Sequence, residues 1–149
     1  MVADSGFARQ IEKQPESEKA LVSAPARILV VEDEGIVGLD IQSKLEAMGY
    51  DVPTVVSTAQ DAIASAERLR PDLVLMDIQL EGNMDGIDAA ERIGADYEIP
   101  VVYLTAYSDE TTLAPARTAQ TFGYLLKPFE ERELYTTVEI ALLRHRAGS

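Results

Sequence analysis

The stretch Ile28-Leu29-Val30-Val31-Glu32-Asp33-Glu34 sets an apolar run directly before three acidic residues. Such a run is typical of a strand that is buried on both faces of a parallel sheet. Leu73-Val74-Leu75-Met76-Asp77 repeats the pattern and again ends in an acid. Two later runs, Val101-Val102-Tyr103-Leu104-Thr105-Ala106 and Tyr124-Leu125-Leu126-Lys127-Pro128, bring a threonine and a lysine to the same position. Each run therefore ends in a residue that can bind a metal, carry a phosphoryl group or contact one.

Helical patterns separate these runs. Val37, Ile41, Leu45 and Met48, for example, recur on one helical face. Regular alternation of strands and helices predicts a parallel, doubly wound α/β sheet. For a chain of this size we expect the flavodoxin-like three-layer sandwich, with strand order 2-1-3-4-5 and strand 2, which contains Pro53, at an edge. The predicted strands are 27–32, 51–56, 73–76, 99–104 and 122–126, and the predicted helices are 35–48, one from Ser57 or Thr58 to 69, 86–93, 109–118 and 130–144.

The carboxyl ends of parallel strands share one edge of a sheet, and ligands bind there. Glu32, Asp33, Asp77, Thr105 and Lys127 should therefore meet in one small acidic site. Each pair of carboxylates 4 Å apart costs about 4 kcal/mol at an effective dielectric constant near 20, so a counter-charge is needed. Mg²⁺ suits such oxygen ligands, and Lys127 can supply a second positive charge. Asp77 is the candidate nucleophile, because a carboxylate can accept a phosphoryl group to give an acyl phosphate.

Composition narrows the function classes. The chain has 149 residues, a formal net charge of -13 and a pI of about 4.4, which fits one domain with tails and disfavours direct nucleic-acid binding. It contains no cysteine, which excludes disulfides, thiolate catalysis and zinc–thiolate sites. No secretory signal opens the chain, and the longest uncharged apolar stretch, 99–108, is too short to span a bilayer. We expect a cytoplasmic protein that does not bind membranes.

The domain boundaries follow from the same patterns. Residues 1–26 are polar, mixed in charge and carry Pro15 and Pro25, so we expect a flexible leader or linker. A short helix within it, as the end of an upstream coiled linker, is the other interpretation. Residues 27–145 form the predicted domain, and 146–149 form a tail.

As an ordered set, five motifs resemble the receiver domain of two-component response regulators, in the CheY-like superfamily. The resemblance covers residues 27–143 almost entirely. Its marks are Val31-Glu32-Asp33-Glu34, Met76-Asp77-Ile78, Met84-Asp85-Gly86, Leu104-Thr105-Ala106 and Tyr124-Leu125-Leu126-Lys127-Pro128-Phe129.

The resemblance implies that Asp77 is the phosphoacceptor, served by a sensor histidine kinase or a phosphotransfer protein. It implies a Mg²⁺ (or Mn²⁺) ion held by the carboxylates of Glu32, Asp33 and Asp77 and by the backbone carbonyl of Gln79. Thr105 and Lys127 would contact the phosphoryl group. A cis peptide bond between Lys127 and Pro128 is also implied.

The resemblance further implies a switch. Phosphorylation would draw Thr105 toward Asp77, and Tyr124, the switch aromatic, could then rotate inward. The surface formed by the predicted helix 109–118, the strand 122–126 and the helix 130–144 would change and so control a downstream effector; the same surface could form a homodimer. We hypothesise that Gln79 and Tyr107 set the lifetime of the phosphoryl group. No turnover of a separate substrate is expected.

Other interpretations remain open at this stage. Acids after strand 1 can simply begin a helix, Thr105 and Lys127 can be turn residues, and Tyr124 can be ordinary half-buried packing. A flavin- or nucleotide-binding domain of the same fold would need a glycine- or hydroxyl-rich loop where Glu32-Asp33-Glu34 stands. A phosphatase that uses an aspartyl phosphate would need an acid at Gln79. A pseudo-receiver, acting only by binding another protein, is the main alternative.

Overall fold

A computed structural model describes residues 24–80, 82, 84–106 and 121–148. Five parallel strands form one sheet in the order β2-β1-β3-β4-β5, as predicted. The predicted helix at 109–118, most of the predicted leader and Tyr107 lie outside the described residues. The strands are β1 (Ile28–Val31), β2 (Val55–Val56), β3 (Leu73–Asp77), β4 (Val101–Thr105) and β5 (Thr121–Leu126), and the helices are α1 (Gly35–Ala47), α2 (Ala59–Leu69), α3 (Gly86–Tyr97) and α4 (Glu131–Gly148).

Alternation along the strands creates two cores, one on each face of the sheet. Leu29, Val31, Val74 and Met76 point to the face that is covered by α2 and α3. Their neighbours in sequence, Ile28, Val30, Leu73 and Leu75, point to the opposite face. There they pack against residues of α1 and α4, which include Ile41, Leu45, Leu134 and Val138. All four residues of β1 and all five of β3 are buried, which makes these strands the rigid centre of the domain.

Strand β2 is shorter than predicted. It pairs with β1 over two residues. At the predicted start of the strand, Asp51 forms only an isolated bridge with Arg27. Pro53 lies between these two regions and has no N–H to donate to a neighbouring strand, which accounts for the interruption. The edge position that this proline suggested is confirmed.

The helices begin near their predicted starts, but two extend further. Thr58 caps α2 by accepting a hydrogen bond from the backbone N–H of Asp61, at 3.1 Å. α3 continues to Tyr97 and ends at Glu98, which adopts the left-handed conformation with φ 57°. α4 continues to Gly148, past the predicted end at 144, because no helix-breaking residue precedes that glycine. In the described part of the chain, none of the helices is both long and apolar enough to cross a membrane.

Truncating the central strand should destabilise the fold. Leu75 is fully buried in β3, so Leu75→Ala should lower the free energy of unfolding by about 2–5 kcal/mol, through lost burial and the cavity left behind. Leu143→Ala is the matched control, because Leu143 is 58% exposed on α4, and it should change stability by less than about 0.5 kcal/mol. Urea unfolding followed by circular dichroism measures both. Equal losses would contradict the assignment of the core.

Candidate phosphoryl-transfer site

Parallel register brings the predicted residues to one edge of the sheet. Val31 pairs with Met76, and Asp77 pairs with Leu104. Thr105 pairs with Leu126. The residues at or just beyond these ends, which are Glu32, Asp33, Asp77, Thr105 and Lys127, consequently share the carboxyl edge, as the sequence predicted.

Three carboxylates crowd together at this edge. One oxygen from each of Glu32, Asp33 and Asp77 lies within 4.8 Å of the other two. Glu32 is 1% exposed and Asp77 is 6% exposed, while Asp33 is half-buried. At these separations each charged pair would repel by roughly 3–4 kcal/mol at an effective dielectric constant near 20. Cations must therefore gather at the cluster for all three acids to stay ionised.

Lys127 supplies one such cation. Its Nζ donates to Glu32 Oε1 and to Asp77 Oδ2, both at 2.9 Å. The lysine is three-quarters buried, so these ion pairs are less screened by water than surface pairs. Burial alone would lower the pKa of Lys127, but the hydrogen bonds to Glu32 and Asp77 outweigh that effect and raise it above its ordinary value. Lys127 therefore stays charged and holds β5 against the acidic residues.

Burial and the repulsion within the cluster raise the pKa of Glu32. Burial, followed by the interaction with Asp77, raises the pKa of Glu32 from 4.5 to about 7, against the opposing pull of Lys127. Its carboxylate also accepts a hydrogen bond from the backbone N–H of Glu34, at 3.2 Å. Without a further cation, Glu32 should thus be partly protonated at neutral pH.

Two hydrogen bonds, one from a backbone N–H and one from the Lys127 side chain, fix the orientation of the candidate nucleophile. Asp77 Oδ1 accepts a hydrogen bond from the backbone N–H of Gln79 at 3.0 Å, and Oδ2 accepts from Lys127. Both oxygens of Asp77 are therefore held. Sequence reasoning missed the bond from Gln79, although an aspartate at the start of a turn commonly accepts from the residue two positions later.

Thr105 ends β4, and Tyr124 lies on the neighbouring strand β5, where it pairs with Tyr103, two residues before Thr105. Thr105 is buried, and its hydroxyl donates to the carbonyl of Ala106 at 3.1 Å, while the backbone N–H of Lys127 donates to the Thr105 carbonyl at 2.6 Å. Tyr124 stacks on Tyr103 with ring centroids 5.9 Å apart. The Tyr124 hydroxyl is buried and has no hydrogen-bond partner among the described residues, and the half-buried ring packs against the core. The Lys127–Pro128 peptide bond is cis.

A glycine brings α1 close to Glu32, which sequence reasoning also missed. A Cβ atom placed on Gly38 would lie 2.7 Å from Val55 Cγ1 and 3.5 Å from Glu32 Cβ. Both glycine and alanine fit the helical pattern at this position, so the sequence alone carries no signal of the contact. The tight packing of α1 follows from tertiary docking.

Comparison with known proteins identifies the family. The sequence model of the response regulator receiver domain matches residues 28–139. The chain belongs to the response regulator receiver domain family. Among curated relatives, it is 37% identical over 124 residues to the transcriptional regulatory protein PdtaR of Mycobacterium tuberculosis, covering 83% of this chain and 60% of PdtaR. It is 35% identical over 119 residues to the DNA-binding response regulator MtrA of the same species, covering 80% of this chain and 51% of MtrA.

Solved receiver domains share the fold. The receiver domain of a modulated diguanylate cyclase from Desulfovibrio desulfuricans G20 superposes with a TM-score of 0.79 at 33% identity, covering 84% of this chain and 99% of that one. The N-terminal domain of a three-domain response regulator/sensory box/GGDEF protein from Carboxydothermus hydrogenoformans gives a TM-score of 0.75 at 36% identity, covering 82% and 98%. This receiver domain chain spans only 60% and 51% of the lengths of PdtaR and MtrA.

The raised pKa of Glu32 can be tested without metal. A ¹³C NMR titration of the side-chain carboxyl should give a midpoint near pH 7 instead of 4.5. Because the folded protein then binds a proton that the unfolded chain has lost, the Glu32 contribution to stability falls as pH rises from 4.5 to 7. Glu32→Gln should remove that slope in urea unfolding measured across this range. A carboxyl midpoint near 4.5, with equal slopes in the two proteins, would contradict the geometry described.

Proposed function

We propose that this receiver domain acts in two-component signalling by accepting a phosphoryl group on Asp77 from a sensor histidine kinase or a phosphotransfer protein. The observation that carries the proposal is the cluster of Glu32, Asp33 and Asp77, in which Lys127 bridges the two buried acids, Glu32 and Asp77. A pseudo-receiver would have no need to keep these costly charges together. The proposed setting is the cytoplasm, where such kinases present their phosphohistidine.

The acidic cluster fits a divalent cation. Three carboxylates within 4.8 Å of one another offer the hard oxygen ligands that Mg²⁺ and Mn²⁺ take. Glu32, Asp33 and Asp77 would hold the ion, with the backbone carbonyl of Gln79 as a further ligand. When bound, the ion neutralises charge on the incoming phosphoryl group and on the acids.

The side chains of the domain then perform the transfer. A carboxylate oxygen of Asp77 attacks phosphorus, the bond from phosphorus to the donor nitrogen breaks, and its electron pair returns to that nitrogen. The backbone N–H of Gln79 orients the carboxylate, and Lys127 neutralises the phosphoryl oxygens. The hydroxyl of Thr105, which donates to Ala106 in this structure, would turn to donate to a phosphoryl oxygen.

That turn of Thr105 connects the chemistry to the surface. Thr105 ends β4, and Tyr103, two residues earlier on the same strand, pairs with and stacks on Tyr124 of β5. Moving the threonine would change the space that the Tyr124 ring occupies, and with it the surface of β5 and α4 that an effector or a second copy would contact. Phosphorylation can shift such an equilibrium only by the difference in free energy of interaction between the two states.

Phosphorylation of the wild-type protein tests the proposal. Incubation with acetyl phosphate and Mg²⁺ should add the mass of one phosphoryl group, and Asp77→Asn should abolish the gain. Asp72→Asn is the matched control, because Asp72 immediately precedes the other end of β3 and is exposed, and it should be phosphorylated like the wild type. Removal of Mg²⁺ with EDTA should stop the reaction. Unchanged phosphorylation of Asp77→Asn would overturn the proposal.

The proposed lifetime residues generate a separate prediction. Gln79 is exposed two residues after Asp77, and its backbone N–H donates to the Asp77 carboxylate. Gln79→Ala and Tyr107→Ala should each change the half-life of the phosphorylated protein by about threefold or more, corresponding to roughly 0.7 kcal/mol in the barrier. Loss of the phosphoryl mass over time measures this. Unchanged half-lives in both variants would end the hypothesis.

A further inference from the structure

The first residue of α3 touches the backbone of the proposed phosphoacceptor. A Cβ atom placed on Gly86 would lie 2.0 Å from the carbonyl oxygen of Asp77 and 3.0 Å from its carbonyl carbon. It would also lie 3.0 Å from Cα of Ile78, whose carbonyl accepts a hydrogen bond from the Gly86 N–H at 2.9 Å. Because these are backbone atoms within a buried strand end, they cannot rotate away as a flexible side chain would.

Glycine is required at position 86 because it has no side chain to block the contact with Asp77, and not because of its backbone conformation. Gly86 does not have a positive φ, in contrast to Gly49, Gly82 and Gly123. As the first residue of an α-helix it has a backbone that alanine adopts easily, and alanine is the better helix former. The approach of α3 to Asp77 is therefore what a side chain at this position would prevent.

We propose that Gly86 is a positioning residue for phosphoryl transfer, because it lets α3 pack directly on the Asp77–Ile78 backbone and so fixes the Asp77 carboxylate against Lys127. This inference rests on the proposed function. The Asp77 carboxylate has to stay 2.9 Å from Lys127 Nζ and within the 4.8 Å acidic cluster. Misplacement of a reacting group by about 1 Å can slow a reaction on the order of a hundredfold.

The start of α3 is itself held in place. Asp85 caps the helix, with Oδ1 accepting a hydrogen bond from the backbone N–H of Asp88 at 2.9 Å. Gly86 follows directly and makes the contacts with Asp77 and Ile78. The cap and the glycine thus hold the helix at the phosphoacceptor, and the phosphoacceptor should respond to loss of either.

Two glycines in matching positions give the sharpest test. Gly35 and Gly86 both begin a helix, after Glu34 and Asp85 respectively, but a Cβ atom on Gly35 would meet nothing within 4 Å. Gly86→Ala should slow phosphorylation at saturating acetyl phosphate and Mg²⁺ by at least about tenfold and weaken Mg²⁺ binding by at least about threefold. Gly35→Ala should leave both within twofold of the wild type.

The outcomes separate this inference from the function it rests on. If the wild type and Gly35→Ala are phosphorylated and Gly86→Ala is slow while remaining folded by circular dichroism, the inference stands. If Gly86→Ala is folded and phosphorylated at the wild-type rate, the inference is overturned and the proposed function survives. If the wild type takes up no phosphoryl group from acetyl phosphate, the proposed function itself fails.

A second pair of variants decides the question if Gly86→Ala does not fold. Asp85→Ala removes the cap of α3, and Thr58→Ala removes the matching cap of α2, where Thr58 accepts from Asp61 at 3.1 Å. Both should lower the melting temperature to a similar extent, but Asp85→Ala alone should slow phosphorylation, by about threefold. Both rates are measured at saturating Mg²⁺, so that a weaker attraction of Mg²⁺ after loss of the Asp85 charge does not cause the slowing. Equal rates in the two variants would overturn the inference.

Discussion

The crowding of three mutually repelling carboxylates, two of them buried and paired with one lysine, is the constraint on which the rest of the structure depends. Glu32 and Asp77 are almost inaccessible to water, and Lys127 bridges them at 2.9 Å. Removing these charges from water costs several kcal/mol per ion, and the lysine offsets only part of that cost. The remaining imbalance is visible in the pKa of Glu32, which is raised to about 7. Holding such a cluster in place requires a rigid scaffold, and keeping all three acids ionised requires a further cation.

The scaffold meets the first of these conditions. The strands that end at the acidic cluster, β1 and β3, are fully buried and pack on helices from both faces of the sheet. Local hydrogen bonds from Glu34 and Gln79 then orient the two buried carboxylates, and Gly86 lets α3 pack on the backbone of Asp77. Burial of apolar side chains therefore stabilises the fold, and this stability offsets the cost of holding the charged side chains together at the strand ends.

The sequence predicted most of this arrangement, because parallel strands that are buried on both faces have continuous apolar sequences. Those runs indicated a parallel sheet and the convergence of its strand ends, whereas the strand order was the choice expected for a chain of this size; the structure shows both the order and the convergence. It did not predict where β2 starts, since one proline breaks an otherwise plausible strand. The contacts of Gly38 and Gly86 were also beyond it, because they depend on how closely two elements dock and glycine has no side chain to indicate a partner. Local patterns report what a segment prefers, whereas close approach is a property of the assembled fold.

Glu32, Asp33 and Asp77 are proposed to form one cation site. The most direct test is a titration of the ¹⁵N-labelled wild-type protein with Mg²⁺, followed by amide NMR. The account predicts saturable shifts that share one dissociation constant and are largest at residues 32–34, 77–79, 105–106 and 127, while amides at the opposite edge of the sheet, such as those of Asp72 and Glu98, stay in place. Absence of saturable shifts at millimolar Mg²⁺, or shifts scattered over both edges of the sheet, would contradict it.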